Sequence, residues 1–400
     1  MSEKKKNSGS SGTPDSPMYD LIFLIVSLWL GGRQKIEVDD ERLKQAQAPY
    51  IMLVNHGSFY DFYYVSKLAH PKRPSYLVNE YYCTRPILKH MAKGGGILSK
   101  KLFTRDMNTA VGLLRTVRRG YPVVIFPEGR LSPDGRSNPI VEKGGALYKK
   151  LNVDLVLTRI EGAYFAAPKW RKKSYRSRVR IRVERVISRE ELKNMSAAEL
   201  DGTIDDFIRF DASEAPIDRY PQKDKALGLD TLLYRCTDCG ALYRTEGVRN
   251  ELICHACGSR HELDESYRFV GEPGTIAEYY DRIKETERRE LENFRLDCAV
   301  RTKIYGANGG PVRWEEGECT LTPEAFAYRS PASSFEIPLD RLPALAFSCG
   351  EEFELYHADE LCYFYPQEQP KQVARWALLV DLLHEEKNTS PDPKGEKTDA

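Results

Sequence analysis

Tyr50-Ile-Met-Leu-Val-Asn-His-Gly-Ser-Phe-Tyr-Asp61 is the stretch from which the rest of the chain is read. Its first five residues are apolar and stop at Asn55, the pattern of a strand buried on both faces of a covered sheet. Such a strand opens into the crevice where α/β proteins hold their ligands. Asn55, Gly57 and Ser58 are turn and N-cap types, so a helix is expected from Ser58 through Asp61 and Tyr64 to Leu68. Five residues separate His56 from Asp61, which rules out one helical face. The histidine therefore belongs to the turn and the aspartate to the first helical turn, from where the carboxylate can reach back. A neutral imidazole takes a hydroxyl proton only if its other nitrogen is held as a donor, and a carboxylate does that holding. The helix N-terminus beside it disfavours imidazolium and keeps a base available near neutral pH. Taken alone, the spacing fits a turn histidine with a solvated aspartate at least as well.

A second stretch, Tyr121-Pro-Val-Val-Ile-Phe-Pro-Glu-Gly-Arg-Leu-Ser132, repeats the design. A short apolar strand over 123–126 ends in a sharp turn at Pro127 and Gly129, which carries Glu128 and Arg130. Arg offers a planar fork of donors, so a guanidinium beside backbone N–H groups is a cradle for phosphate or carboxylate. A His/Asp base and an Arg anion site at two strand ends suit a hydroxyl substrate that also bears phosphate.

Together, Asn-His-x-Ser-x-x-Asp and Phe-Pro-Glu-Gly-Arg resemble the glycerolipid (lysophospholipid) acyltransferase family, over about residues 18 to 190. Val141-Glu-Lys-Gly-Gly-Ala-Leu147 and Arg159-Ile-Glu-Gly-Ala163 resemble its later blocks. The shortened second motif, without a Thr before Arg130, is closest to members fused to acyl-carrier-protein synthetases that reacylate lysophosphatidylethanolamine. The resemblance implies His56 as general base on an acceptor hydroxyl and Asp61 as its orienting partner. It places Glu128, Gly129 and Arg130, with Ser58, Lys101 and Lys143, around the acceptor. The sequence does not identify the oxyanion donor; backbone N–H groups near Gly57 or Gly129 are the candidates. Two departures stand out. In Gly95-Gly-Ile-Leu-Ser-Lys-Lys101 a lysine occupies the family's Arg position, with Arg105 close by, and Leu157 or Thr158 replaces a Pro. The implied activity is O-acyl transfer from acyl-CoA or acyl-carrier protein to a lysophospholipid. The acceptor expected first is 1-acylglycerol-3-phosphate, with lysophosphatidylethanolamine as the alternative.

Four hundred residues with 41% apolar content suggest two or three domains, each able to bury a core. The formal charge of +1 points to no particular partner. No apolar run approaches the ~20 residues of a spanning helix. The longest block, 21–30, ends at Gly31-Gly-Arg33 and reads as an interfacial helix dipping into one leaflet, with Tyr19 and Trp29 at its ends. An ordinary N-terminal core helix is the alternative. A signal peptide fits less well, because a Ser/Gly/Pro spacer separates the lysines from the apolar block and no small-x-small cleavage site follows. A cytoplasmic protein attached peripherally or monotopically to the membrane is expected.

The expected fold is an α/β acyltransferase domain, a mixed sheet with flanking helices over 18–210, after a disordered lead, 1–17. A linker over 211–229 leads to a zinc ribbon, 230–268, and a connector helix, 269–296. A β-rich, barrel-like domain with a C-terminal helix follows over 297–386, resembling pleckstrin-homology or GRAM modules in pattern, and a disordered tail, 387–400, closes the chain. Helices are also expected over 86–93 and 108–118. The basic run 169–189 invites a nucleic-acid reading, but Arg178-Val-Arg-Ile-Arg-Val-Glu184 alternates as a half-buried strand does. Its arginine face suits anionic lipid, an acidic carrier protein or plain solvent better than nucleic acid.

Cys236-Thr-Asp-Cys239 and Cys254-His-Ala-Cys257, fourteen residues apart and each followed by Gly, present four thiolates with the spacing of a structural zinc ribbon. His255 and His261 are spare, and zinc thiolates favour a reducing cytosol. Cys298, Cys319, Cys349 and Cys362 lack metal spacing and read as core. The C-terminal modules would dock a protein or lipid. A rival of another class is an inactive lipid-binding platform with a zinc-ribbon adaptor.

Overall fold

The computed structural model describes residues 14, 17–31, 33–80, 96–103, 107–214, 218–306 and 310–389. The expected helix over 86–93, Arg105 and most of the expected lead and tail lie outside the described residues. The chain divides into two compact units, Met1–Lys225 with Leu263–Val270 and Thr275–Ala277, and Ala226–Glu262 with Gly271–Gly274 and Glu278–Ala400.

The first unit is built on a seven-stranded sheet of β1 (Gln34–Asp39), β2 (Tyr50–Val54), β3 (Ser75–Asn79), β4 (Ile97–Lys100), β5 (Val123–Ile125), β6 (Asp154–Glu161) and β7 (Ser177–Ile187). The spatial order is β1-β7-β6-β2-β5-β3-β4. All neighbours run parallel except β6 and β7, which are antiparallel, so the sheet is mixed as expected. Every residue of central β2 is buried because each face has its own core. Ile51 and Leu53 pack with Val123, Leu155 and Leu157 on one side. Tyr50, Met52 and Val54 pack with Val124, Val156 and Val179 on the other. Burying each such side chain contributes roughly 1.5–3 kcal/mol, which anchors the strand end that carries His56.

Helix α1 (Pro17–Gly31) rests Phe23 on Tyr63 of α2 (Asp61–Ala69), and the Tyr19 hydroxyl meets Ser66 Oγ at 3.0 Å. Its other face leaves Leu21, Leu24, Ile25 and Leu28 exposed. Among the described residues no helix is long and apolar enough to cross a membrane. The arginine stripe of β7 is matched by carboxylates. Arg178 and Arg180 lie 3.5 Å from Glu37 of β1, and Arg182 lies 3.0 Å from Glu161 of β6. Sheet pairing thus supplies acids that the alternating strand pattern alone did not show. The segment 211–229, expected as a linker, buries Ala212, Tyr220, Ala226 and Leu229. Its apolar anchors are dispersed among Pro, Asp and Lys, which hid them.

In the second unit, β8 (Thr245–Val248), β9 (Glu251–Cys254) and β10 (Arg260–Glu262) form a small antiparallel meander. A seven-stranded antiparallel sheet follows, with the strands Ser334–Pro338 and Ala346–Ser348 as its edges. It is an open half-barrel wrapped on a C-terminal helix, Val373–Thr389, whose Trp376 stacks on Phe353 at 5.0 Å. That helix runs past Lys387, where a disordered tail was expected. Expected as separate domains, ribbon and sheet share one compact unit, joined at the buried Glu287. Arg235, next to Cys236, lies 3.1 Å from its carboxylate and Arg375 lies 3.0 Å from it, while the Tyr234 hydroxyl donates at 3.1 Å. A buried carboxylate is tolerable only when paired in this way.

Candidate active site and metal centre

β2 ends by handing the chain to a turn that its own side chains fasten. Asn55 Nδ2 donates to Ile160 O (3.0 Å) and Asn55 Oδ1 accepts the Ile160 N–H (2.8 Å), so the turn is tied to β6. His56 Nδ1–H donates to Asp61 Oδ2 at 2.9 Å, and the Ser58 N–H donates to the same oxygen at 2.9 Å. The helix starts at Asp61 rather than at the expected Ser58, because Ser58 closes a turn with Asp61 through its own backbone. Ser58 is fully buried, its Oγ accepting the Tyr60 N–H, so its side chain is part of the turn and does not face an acceptor.

Asp61 is fully buried, and burial raises its carboxyl above the usual range, opposed by the bond from His56. The imidazole stays about one-fifth exposed, with its Nδ1 committed to Asp61. Its flat face lies on Phe126, ring centroids 4.1 Å apart and planes 19° from parallel. A hydrogen bond at one nitrogen and a stacked ring leave the imidazole few orientations in which to accept a proton at Nε2.

The second motif holds the first from behind. Glu128 Oε1 accepts the His56 N–H at 2.8 Å, and Oε2 accepts the Asn138 N–H at 2.7 Å and Asn138 Nδ2 at 3.1 Å. The carboxylate expected beside the acceptor is thus buried and bonded to two backbone N–H groups and the Asn138 side-chain amide, a clasp between two loops. Burial pushes this carboxyl up to about 8, against the N–H donors that pull it down. Ser132 N–H adds a further tie, to His56 O at 2.9 Å. The Gly129 N–H, an oxyanion candidate, donates to Phe126 O at 3.0 Å and is occupied.

Arg130 is buried beside this clasp, its carbonyl accepting Asn138 Nδ2 at 3.2 Å. Lys101 is half-buried just past β4. Lys143 pairs with Asp205 at 2.6 Å. Asn55, Phe126 and Asn138 are the site residues that the sequence reading missed. Asn55 and Phe126 stood inside the quoted motifs, yet their partners lie 105 and about 70 residues away, beyond any local signal.

The Sγ atoms of Cys236, Cys239, Cys254 and Cys257 all lie within 4.8 Å of one another. Cys236–Cys257 and Cys239–Cys254 are each 3.8 Å apart. Four thiolates around zinc at ~2.3 Å in tetrahedral geometry have sulfurs ~3.8 Å apart, the separation of these two pairs, so the cluster is compatible with such an ion. Each knuckle closes through its glycine: Gly240 N–H donates to Cys236 O (2.9 Å) and Gly258 N–H to Cys254 O (2.8 Å). Both glycines have positive φ, +76° and +79°, where a side chain would strain the turn. His255 and His261 are turned to Glu246 (2.6 Å) and Asp238 (2.9 Å).

A solved structure similar to this chain is that of the 1-acyl-sn-glycerophosphate (LPA) acyltransferase PlsC from Thermotoga maritima. It is 18% identical with a TM-score of 0.40, covering 48% of this chain and 75% of that one. The family model described as Acyltransferase matches residues 35–156, the segment that holds His56, Asp61, Glu128 and Arg130.

Proposed function

We propose that the protein moves a fatty acyl group from a thioester, acyl-CoA or acyl-carrier protein, to the free hydroxyl of a lysophospholipid, with 1-acylglycerol-3-phosphate as acceptor. The observation that carries this reading is the His56–Asp61 pair, 2.9 Å apart at the exit of β2, inside the segment that matches the acyltransferase family. His56 Nε2 takes the acceptor's hydroxyl proton while Asp61 steadies the imidazolium. The alkoxide oxygen bonds to the thioester carbonyl carbon, the C–S bond breaks, and the thiolate leaves with the proton returned by His56. Ester and thiol are the products, and no acyl-enzyme forms. Arg130 and Lys101 are the cations assigned to the acceptor phosphate.

The exposed face of α1 favours attachment to a bilayer surface. Leu21, Leu24, Ile25 and Leu28 point outward with Trp29, which packs on Tyr60 at 5.3 Å, beside exposed Phe59 in the catalytic turn. An acceptor with an acyl tail could then be presented without leaving the lipid. The four cysteines would hold a zinc ion that fixes the fold of the ribbon, leaving no open coordination position for chemistry. The half-barrel would be a docking module.

Thin-layer separation of products from a panel of lysolipids with labelled palmitoyl donors tests the assignment. Phosphatidate is the expected product. Acylation of lysophosphatidylethanolamine in its place would move the acceptor, and no ester from any lysolipid would refute the reaction.

A further inference from the structure

After the second cysteine knuckle the chain returns to the first unit, where Leu263–Val270 and Thr275–Ala277 belong. Backbone bridges between Leu263 and Phe269, and between Arg268 and Thr275, make this return a compact pin. Tyr267 is buried at its centre, stacked on Phe165 at 5.0 Å and 19° and edge-on to Tyr220 at 5.1 Å. The Tyr220 N–H donates to Glu265 O at 2.7 Å, fastening the pin from the side.

Phe165 is followed back along the chain by Tyr164, which touches both loops of the candidate site. A Cβ at Gly57 would lie 3.4 Å from Tyr164 N, so the turn after His56 is backed by this residue. A Cβ at Gly135 would lie 3.1 Å from the Tyr164 ring, and Gly135 has φ +101°, so only glycine suits this approach. The Tyr164 hydroxyl donates to Pro133 O (3.0 Å) and accepts from Trp170 Nε1 (3.1 Å). The loop thus held is the one whose Ser132 N–H donates to His56 O. Within it, Ser132 Oγ accepts the Gly135 N–H at 2.9 Å and donates to Arg136 O at 2.7 Å. Arg136 pairs with Asp134 at 2.7 Å and reaches out to Ala277 O at 3.1 Å.

We infer that Leu263–Val270 with Thr275–Ala277 is a positioning strap for the His56 base, acting through Tyr267 on Phe165 and Tyr164 and through Arg136 on the loop Ser132–Asn138. The inference deepens the acyl-transfer reading and rests on it for its kinetic consequence. The catalytic unit is then not complete at residue 210 or at residue 230, because its last structural layer comes from beyond the cysteine knuckles. Removing 230–400 would abolish transfer through loss of the strap, even though His56, Asp61, Glu128 and Arg130 all remain.

The test uses the full-length protein with its metal bound, comparing wild type, Tyr267→Ala, Tyr267→Phe and Arg136→Ala. Amide hydrogen exchange is read at 132–138 and at β2, and acyl transfer to lysophosphatidate is followed from palmitoyl-CoA. The strap predicts faster exchange at 132–138 with β2 unchanged in both alanine variants. It also predicts kcat lower by about ten- to a hundredfold with donor KM within about twofold, since misplacement of a base acts on the chemical step. Tyr267→Phe keeps the stacking ring and should match wild type in both readouts. Arg136 is partly exposed, so Arg136→Ala reports even if Tyr267→Ala does not fold. Unchanged exchange at 132–138, or changed exchange with wild-type kcat, overturns the strap. If wild type transfers no acyl group, the acyl-transfer reading falls, and the exchange data alone decide whether the strap braces the loop.

Discussion

At the four-cysteine cluster each ligand pair sits in a knuckle closed by its own glycine, within five residues of chain. At the turn after β2, by contrast, His56 is held by Asp61 five residues away but also by Glu128, Phe126 and Ser132, some seventy residues on. The first cluster is assembled locally, from sulfurs close enough together to hold an ion. The second is assembled by the sheet and needs buried hydrogen bonds between loops. Local assembly makes a motif fully readable from spacing. Assembly through the sheet leaves the chemistry readable and the support unread.

The largest effects separate the two plans most sharply. Asp61→Asn keeps the shape of the pair but removes the acceptor that fixes the imidazole tautomer. Steady-state kinetics should show kcat reduced by about 10³–10⁴ with the fold and metal content intact. Cys254→Ser should do the reverse at the level of structure. Metal measured by plasma mass spectrometry after challenge with a chelator should fall well below the wild-type content, because three thiolates hold the ion more weakly than four. Local unfolding by hydrogen exchange should appear first at β8–β10, and retained metal in that variant would break the comparison.

Glu128→Gln sharpens the comparison at intermediate size. It turns one acceptor oxygen into an NH₂ group facing the two Asn138 donors, at a cost of about 1–3 kcal/mol for groups left unsatisfied. The sign of its pH dependence also follows. Burial lifts the native carboxyl to about 8, above an unfolded value of ~4.3. The native state therefore binds this proton more tightly, and the stability it adds is complete below the unfolded value and lost as pH rises through about 8. Wild-type melting temperature should fall over that window more than the Gln variant's does. A parallel pair of curves would place the charge elsewhere.

The smallest effect expected is from the arginine stripe. Arg178→Ala should change stability by less than about 1 kcal/mol, because its 3.5 Å pair with Glu37 is partly exposed and screened. Vesicle sedimentation with anionic lipid should likewise be unchanged, whereas replacing Leu24 and Leu28 by Ser should release the protein from vesicles if α1 is the membrane contact.

Much of this was legible in the sequence, for identifiable reasons. The apolar run 50–54 read as a doubly covered strand, and the five-residue interval between His56 and Asp61 excluded one helical face and pointed to the turn-to-helix geometry that the structure shows. The knuckle spacing and the alternation of β7 were equally direct. What escaped were relations between distant segments. Glu128 stood in the motif, but its bonds to the His56 and Asn138 N–H groups did not show, since nothing local reveals which distant loop a carboxylate clasps. Glu37 and Glu161 become partners of the β7 arginines only when strand order is known. Tyr220 and Tyr267 lie in polar, Pro- and Asp-rich stretches that composition assigns to linkers, and only packing reveals them as core.

The most direct test of the central claim is acyl transfer from labelled palmitoyl-CoA and palmitoyl-carrier protein to lysophosphatidate by wild type and His56→Ala, matched for folded protein and metal content. A base at His56 predicts phosphatidate from wild type and a loss of about 10²–10⁴ in kcat for the variant. Equal rates for the two proteins, or no transfer by either while both stay folded and bind lipid vesicles, would contradict it and leave a lipid-binding platform as the better description.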